Sequence, residues 1–426
     1  MSEQTQMIAA VVVFVVAYGL IISGRINYAL VALGGALLLV LLRVVSQMQA
    51  LASVDWDTLG LLLGMMMIVG IIGRSGLFQY LAAWSVRLAR GEPFLILLLL
   101  AAVTALLSAF LNNMTTVLLV APVTISIAED LGLTPLPFLF AEIIASNIGG
   151  TATLIGDPPN MMIGSAAGLT FTDFLQHLTP VAAIILLATA GCFWLLWGRQ
   201  LQVSQEQKIG WRQLDPGGHI KDWRLLHLGM LALGLTILGF VLQQALHLNA
   251  ATIALTGAVL LLLLTGTDPE DAMLSVEWPT MLFFLGLFVM VGALEQTGVI
   301  RTVAQQTLGL IGNSPAKAAG GILWLSALAS AFFDNIPFTA AMIPIIRDIG
   351  ALTGIPLQPL WWALALGACL GGNGTLIGAS ANIAVAGIAE RNGYPFTFMQ
   401  YTRVAFPLML LSILIAYAYL YFGWLR

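Results

Sequence analysis

An internal repeat constrains this chain more than any other feature. Residues 54–160 align with residues 276–382 at a constant offset of 222 residues without a gap, and 29 of the 107 aligned positions are identical. Shared apolar composition does not explain the matches, because they include Asn and Gly positions: Ser108-Ala-Phe-Leu-Asn-Asn113 aligns with Ser330-Ala-Phe-Phe-Asp-Asn335. Internal similarity at a fixed offset predicts structurally equivalent units.

The regions that flank this alignment indicate where the units begin and end. The apolar segment at 28–43 falls on 250–265 at the same offset, and a polar stretch with several Lys and Arg separates the two copies. The predicted organisation is a first repeat at 1–198, a linker at 199–224 and a second repeat at 225–426.

Composition places both repeats in a lipid bilayer. Of the 426 residues, 59% are hydrophobic and only 8% are charged, whereas a soluble domain carries about 25% charged residues. Apolar runs of roughly 17 to 20 residues have the length of membrane-spanning helices. The net charge of −4 and the absence of a basic stripe or phosphate-loop motif argue against nucleic-acid binding. The predicted class is an all-α polytopic membrane protein.

Each repeat is expected to contain spans, a hairpin and a broken helix. Two short apolar pieces meet at Asn112-Asn113, and a later helix is interrupted at Gly156-Asp-Pro-Pro159. A re-entrant hairpin gives five crossings per repeat and a crossing hairpin gives seven. Either number is odd, so the two repeats have inverted topology. We expect about ten transmembrane helices, two re-entrant hairpins and helix breaks at the midplane, the architecture of secondary transporters.

The distribution of basic residues predicts the orientation. With both termini outside and the linker in the cytoplasm, 11 of the 16 Lys and Arg residues lie inside, as the positive-inside rule requires. The inside set is Arg25, Arg74, Arg87, Arg90, Arg199, Lys208, Arg212, Lys221, Arg224, Arg391 and Arg403. The outside set is Arg43, Arg301, Lys317, Arg347 and Arg426.

Polar residues recur at both hairpin tips and at both helix breaks. Amides and hydroxyls can replace the hydration shell of a small solute, and glycines allow close approach of the backbone. Packing between membrane helices is the alternative role for single Ser and Thr residues. The predicted substrate-binding residues are Asn112, Asn113, Thr115, Asn147, Thr151, Thr153, Asn160, Asn335, Thr339, Asn373, Thr375, Ser380 and Asn382.

Three acidic residues at membrane depth are candidates for proton or ion coupling: Asp157, Asp334 and Glu142. Carboxylates in a bilayer are costly, so they face cavities and often exchange protons. A buried structural role remains open for Glu142. No Lys or Arg falls within the polar motifs, which favours a neutral hydroxylated solute or a small cation over a multiply charged anion.

No catalytic residues, metal site or cofactor are predicted. The four His residues are scattered, and Cys192 and Cys369 both lie in apolar segments, where packing is the expected role. No nucleophile stands beside a base, so a membrane enzyme is disfavoured.

The string Asn147-Ile-Gly-Gly-Thr-Ala-Thr-Leu-Ile-Gly-Asp-Pro-Pro-Asn160 resembles a signature of the ion transporter superfamily. The closest resemblance is to the branch that holds ArsB-type arsenite-efflux permeases, related Na⁺/H⁺ antiporters and the melanosomal P protein. The hairpin tips at Asn113 and Asn335 match the tips of this superfamily, although their sequences depart from those of dicarboxylate and citrate members. The resemblance implies a scaffold, a moving transport domain and a location in a bacterial inner membrane.

These observations leave several functions open. The first hypothesis is proton-coupled efflux of arsenite and antimonite as neutral trihydroxides by alternating access. Na⁺ is the alternative coupling ion. Na⁺/H⁺ antiport and anion or dicarboxylate symport are the alternatives. A cytosolic ATPase subunit is a further possible partner, and the oligomeric state is left open.

Overall fold

The computed structural model describes residues 2–23, 25–201, 216–311 and 314–424, and the regular elements in these ranges are all helical. Three of the basic residues used to predict orientation, Lys208, Arg212 and Arg426, lie outside the described residues.

The helices up to residue 201 are α1 (Glu3–Ser23), α2 (Tyr28–Leu41), α3 (Gln47–Ala52), α4 (Trp56–Gly73), α5 (Leu77–Leu88), α6 (Pro93–Phe110), α7 (Asn113–Asp130), α8 (Leu136–Thr151), α9 (Pro158–Ala167), α10 (Phe171–His177) and α11 (Thr179–Trp197). A 3-10 helix (Pro216–His219) then precedes α12 (Trp223–Val241), α13 (Gln243–Leu246), α14 (Ala250–Thr265), α15 (Pro269–Met273), α16 (Trp278–Gln296), α17 (Val299–Ile311), α18 (Pro315–Phe332), α19 (Asn335–Thr353), α20 (Gln358–Gly371), α21 (Ser380–Arg391) and α22 (Phe398–Trp424).

The helices form a polytopic membrane bundle. Within the described residues, 8 helices are long and apolar enough to cross a membrane, and α2, α8 and α14 are shorter apolar helices. Two of the 8, α6 and α19, are arms of the hairpins α6–α7 and α18–α19. The other six, together with α2, α14 and the broken helices α8–α9 and α20–α21, agree with the expected number of about ten outside the hairpins.

Helices of the two sequence halves pack against each other in an exchanged manner. The long helix α4 lies along α14 of the second half, and α16 lies along α2 of the first. The first arm of each hairpin packs within its own half, α6 against α8 and α18 against α20, whereas the second arm packs against the other half, α7 against α21 and α19 against α9. The molecule thus has a scaffold in which α4, α14, α16 and α2 pair across the two halves, and two hairpin units that contact both halves.

The two ends of the bundle are distinguished by contacts of α4. At its end, Arg74 forms an ion pair with Asp271 at 3.5 Å, and the backbone N–H of Lys221 donates to the carbonyl of Ser75 at 2.8 Å. We call this end the linker side. At the start of α4, Asp57 Oδ1 accepts from the backbone N–H of Ala251 at 3.1 Å, and we call that end the opposite side.

Both helix breaks begin where two helices touch through backbone atoms. A Cβ added at Gly149 would lie 2.0 Å from the carbonyl oxygen of Ala105, and one added at Gly371 would lie 2.5 Å from that of Ala327. Only glycine permits this approach, so it brings the end of α8 and the end of α20 against the hairpin helices α6 and α18. The contact fixes each break beside a hairpin tip.

We predict that Gly149→Ala lowers the melting temperature of the purified protein in detergent. The new methyl must displace the α6 backbone, and overpacking of this kind typically costs about 1–3 kcal/mol. Gly191→Ala in α11 is the matched control, because nothing lies within 4 Å of its added Cβ. That control should leave the melting temperature unchanged or raise it, since Ala is the better helix former. Equal melting temperatures for the two variants would contradict the proposed close contact.

Candidate functional site

A cavity of about 520 Å³ lies where both hairpin tips and both helix breaks meet. Its rim includes Asn27 just before α2 and Glu277 just before α16, so it opens on the linker side. The polar lining residues are Asn27, Tyr28, Asn112, Asn113, Asp157, Glu277, Thr280, Asp334, Asn335 and Ser380. Apolar residues such as Phe283 and Phe333 complete the wall.

Asp157 joins the two hairpins at the base of the cavity. It is the N-cap residue of α9, directly before Pro158-Pro159. Because proline has no backbone N–H group to donate, α8 cannot continue into α9 as one helix. Its Oδ1 accepts from Asn113 Nδ2 at 3.3 Å, and its Oδ2 accepts from Asn335 Nδ2 at 3.1 Å. One buried carboxylate therefore holds an amide from each tip.

The second predicted coupling residue, Asp334, lies at the other tip. Its Oδ1 accepts from the backbone N–H of Ile336 at 3.0 Å, which caps α19, and its Oδ2 accepts from Ser380 Oγ at 3.1 Å. Asn112 caps α7 in the same way, through the backbone N–H of Met114 at 2.9 Å. The tips therefore share a capping geometry, but only the second tip carries a negative charge.

A cluster of amides lies behind Asp157. Asn147 Oδ1 accepts from Asn113 Nδ2 at 3.1 Å, while Asn147 Nδ2 donates to Asn373 Oδ1 at 2.8 Å and to Asn382 Oδ1 at 3.0 Å. Asn147 and its three partners are all buried. Because buried polar groups must find partners, this side chain ties the two helix breaks together.

Equivalent side chains brace the two breaks internally. Asn160 Nδ2 donates to the carbonyl of Thr153 at 2.9 Å, and Asn382 Nδ2 donates to that of Thr375 at 2.9 Å, 222 residues later. The hydroxyls of Thr153 and Thr375 donate in turn to carbonyls of the hairpin helices, those of Ala109 and Ala331. These groups satisfy unwound backbone in place of water.

The sixteen predicted site residues thus fall into distinct positions. Asn112, Asn113, Asn335, Ser380, Asp157 and Asp334 line the cavity. Asn147, Asn160, Asn373, Asn382, Thr153 and Thr375 lie behind it in the networks just described, while Thr151 and Thr339 donate to the carbonyls of Asn147 and Asn335 four residues earlier. Thr115 Oγ1 donates to Glu277 Oε1 at 3.1 Å.

Glu142 does not line the cavity. It lies fully buried on α8, where Oε1 accepts from the hydroxyl of Thr124, and Oε2 has no hydrogen-bond partner among the described residues. Position 364, its equivalent in the second half, is leucine. Its role in ion coupling stays a prediction.

Sequence reasoning missed a group of cavity residues on the scaffold. Glu277 lines the cavity beside Thr280, whose hydroxyl donates to Glu277 Oε2 at 3.3 Å, and Tyr28 lies within 3.2 Å of Thr280 Oγ1. The repeat alignment already paired Val54-Asp-Trp56 with Val276-Glu-Trp278. The alignment showed that Glu277 and Asp55 are equivalent positions. It could not show that the fold places Glu277 beside the hairpin tips.

The cavity has a strongly acidic lining. Asp157, Asp334 and Glu277 contribute three carboxylates, and no Lys, Arg or His is among its described lining residues. The N-terminal ends of α7, α9, α19 and α21 converge on it, with partial positive charge from their backbone N–H groups. The arrangement can bind and exchange protons and can offer several oxygen ligands to a cation.

An all-helical membrane bundle with a polar cavity between two hairpins and two broken helices has the architecture of a membrane transporter. Residues 18–367 match the CitMHS family, described as citrate transporter. The chain belongs to this family.

Individual relatives agree with the class. An uncharacterized transporter of Mycobacterium tuberculosis is 44% identical over 98% of both chains. The human P protein is 38% identical, with 98% of this chain aligned to 60% of the P protein. The crystal structure of the YdaH transporter of Alcanivorax borkumensis has the same fold, with a TM-score of 0.61 at 16% identity over 87% of this chain and 86% of that one.

We predict that Asn147→Ala destabilises the purified protein far more than Cys369→Ala. The asparagine variant removes the donor to two buried amide oxygens, Asn373 Oδ1 and Asn382 Oδ1, at about 1–3 kcal/mol for each unsatisfied group. Cys369 occupies the equivalent position in the second half and offers this cluster only the weak hydrogen bonds of a thiol, to Asn160 Oδ1 at 3.5 Å and to the Asp157 carboxylate, so it is a matched control. Thermal unfolding in detergent measures both, and similar melting temperatures would show that the amide cluster is not a structural tie.

Proposed function

We propose that this transporter exchanges protons for a small monovalent cation by alternating access. The observation that carries the proposal is the cavity lining, with three carboxylates and no basic side chain among the described residues. Carboxylate and amide oxygens are hard ligands that suit a hard cation such as Na⁺ or Li⁺. A solute of positive charge gains most from such a site.

Asp157 supplies the exchange step. Its carboxylate can hold a proton or contribute oxygens to a cation, and the two forms compete for the same atoms. The amides of Asn113 and Asn335 contact this carboxylate, and each amide also carries a carbonyl oxygen that a bound cation can use. Competition at one group produces antiport, because a protonated site releases its cation.

A free anion is a weaker candidate. The family description makes citrate a substrate to consider, but its negative charges would face Asp157, Asp334 and Glu277 without a compensating Lys or Arg in the described lining. Helix N-termini contribute only about half a charge each. The experiment below therefore also measures the uptake of citrate and succinate.

Proton-coupled efflux of arsenite and antimonite is the second candidate. The observation that favours it is the amide and hydroxyl lining, which includes Asn112, Asn335, Tyr28 and Ser380. These groups both donate and accept hydrogen bonds, as a neutral trihydroxide requires.

The proposal includes the predicted topology, with inverted repeats, a cytoplasmic linker and both termini outside. The cavity opens on the linker side, so this arrangement makes the described state inward-facing.

We expect Na⁺ or Li⁺ to drive proton movement in proteoliposomes that contain an internal pH dye, while choline, succinate and citrate have no effect. Asp157→Asn and Asp334→Asn should each reduce this movement to that of protein-free vesicles, because the neutral amide cannot bind a proton in exchange. Glu270→Gln, an exposed carboxylate outside the cavity, is the control and should retain wild-type rates.

Other results reassign the function. Full activity of both Asp variants would remove the proposed carrier role of these carboxylates. Arsenite-driven proton movement without a Na⁺ response would favour the second candidate over cation exchange. Uptake of radiolabelled citrate or succinate would contradict both and support an anion symporter.

A further inference from the structure

The cavity between the hairpin tips and the helix breaks opens on the linker side. Glu277, just before α16, and Thr280 in its first turn face it, and their equivalents at the 222-residue offset are Asp55 and Thr58 at the start of α4. Asp57, two residues after Asp55, contacts Ala251 on the opposite side. The start of α4 is thus the place where an equivalent cavity would open.

On that side the corresponding surfaces are in contact. Ile377 and Ile383 line the cavity and are 39% and 53% exposed, whereas their equivalents Ile155 and Met161 are 1% and 2% exposed. Helix α9 packs against α4, while the cavity separates α21 from α16. The two sides therefore show a closed and an open version of one interface.

A hydrogen bond between side chains spans the closed version. Ser165 Oγ on α9 donates to Asp55 Oδ1, at the N-cap of α4, at 2.9 Å. Helical hydroxyls such as Thr151 and Thr339 donate to the carbonyl four residues earlier, but Ser165 reaches across to the scaffold. This bond connects a helix whose N-cap is Asp157 to a helix of the surrounding scaffold.

Helix capping does not require this bond. Asp55 accepts from the backbone N–H of Thr58 at 3.1 Å and from the Thr58 hydroxyl at 2.6 Å, which caps α4 without Ser165. The residue equivalent to Ser165 is Gly387, so the open side cannot form the same bond. The Asp55–Ser165 hydrogen bond is therefore present on the closed side and has no equivalent on the open side.

We propose that the Asp55–Ser165 hydrogen bond is the latch that keeps the opposite side closed, and that it breaks in each transport cycle. Once it breaks, α9 withdraws from α4, Asp55 and Thr58 become cavity residues, and Ile155 and Met161 become accessible from the opposite side. The facing surfaces of α16 and α21 close in the same step, which buries Ile383. The inference rests on the transporter class and not on the identity of the solute.

Cysteine labelling tests the latch in the full chain. Met161→Cys reports on the opposite side and Ile383→Cys on the cavity, each in a background in which Cys192 and Cys369 are replaced by Ala. Labelling rates with a membrane-impermeant methanethiosulfonate are measured in proteoliposomes in choline buffer without Na⁺, so that the result does not depend on which solute is carried.

Ser165→Ala should raise the labelling rate at position 161 about tenfold and slow labelling at position 383, because loss of one hydrogen bond to a carboxylate shifts the equilibrium by roughly this factor. Ser412→Ala is the matched control, since Ser412 donates within its own helix to the carbonyl of Leu408, and it should change neither rate. Asp55→Asn, which retains a capping oxygen, should give a smaller shift in the same direction and provides a second test if Ser165→Ala folds poorly.

Two outcomes would overturn the latch. Unchanged labelling at position 161 in both Ser165→Ala and Asp55→Asn would show that the bond does not hold the opposite side closed. An equal increase in labelling at both reporter positions would show general loosening in place of alternation. Absence of cation exchange in the wild type with the expected labelling pattern would reject the proposed solute and support the latch.

Discussion

The rest of the site depends on the hydrogen bonds that the Asp157 carboxylate accepts. It accepts one amide from each hairpin tip, and these tips come from sequence halves that share no continuous helix among the described residues. A buried carboxylate without partners is costly in a bilayer. The hydrogen bonds from Asn113 and Asn335 therefore stabilise both the charge of Asp157 and the contact between the two hairpins. Any change in the protonation of this group therefore changes a contact between the two halves.

The membrane environment explains why a network of buried amides surrounds Asp157. Water cannot satisfy unwound backbone at membrane depth, so each helix break needs side chains that bond its free carbonyls. Asn160 and Asn382 meet this need at equivalent positions, and Asn147 links one break to the other. The amides hold the tips and breaks in register, which leaves Asp157, Asp334 and Glu277 as the carboxylates that face the cavity.

Much of this arrangement follows from the sequence, because its signals are local. Pro158-Pro159 must end a helix, a repeat must place equivalent residues in equivalent positions, and scarce charge draws attention to Asp157 and Asp334. The division between lining and bracing amides could not be predicted, since Asn suits either role and only the fold decides which way it faces. Glu277 was missed for the same reason: its approach to the tips depends on the exchanged packing of α16 with α2.

Proton release on cation binding tests the central claim most directly. Purified protein in lightly buffered detergent solution is mixed with NaCl, or with choline chloride at equal ionic strength, and a pH-sensitive dye reports released protons. If a cation and a proton compete for Asp157, the wild type releases protons with NaCl only, and Asp157→Asn releases none. Equal release from the wild type and Asp157→Asn, or no release from the wild type at any pH, would contradict the account.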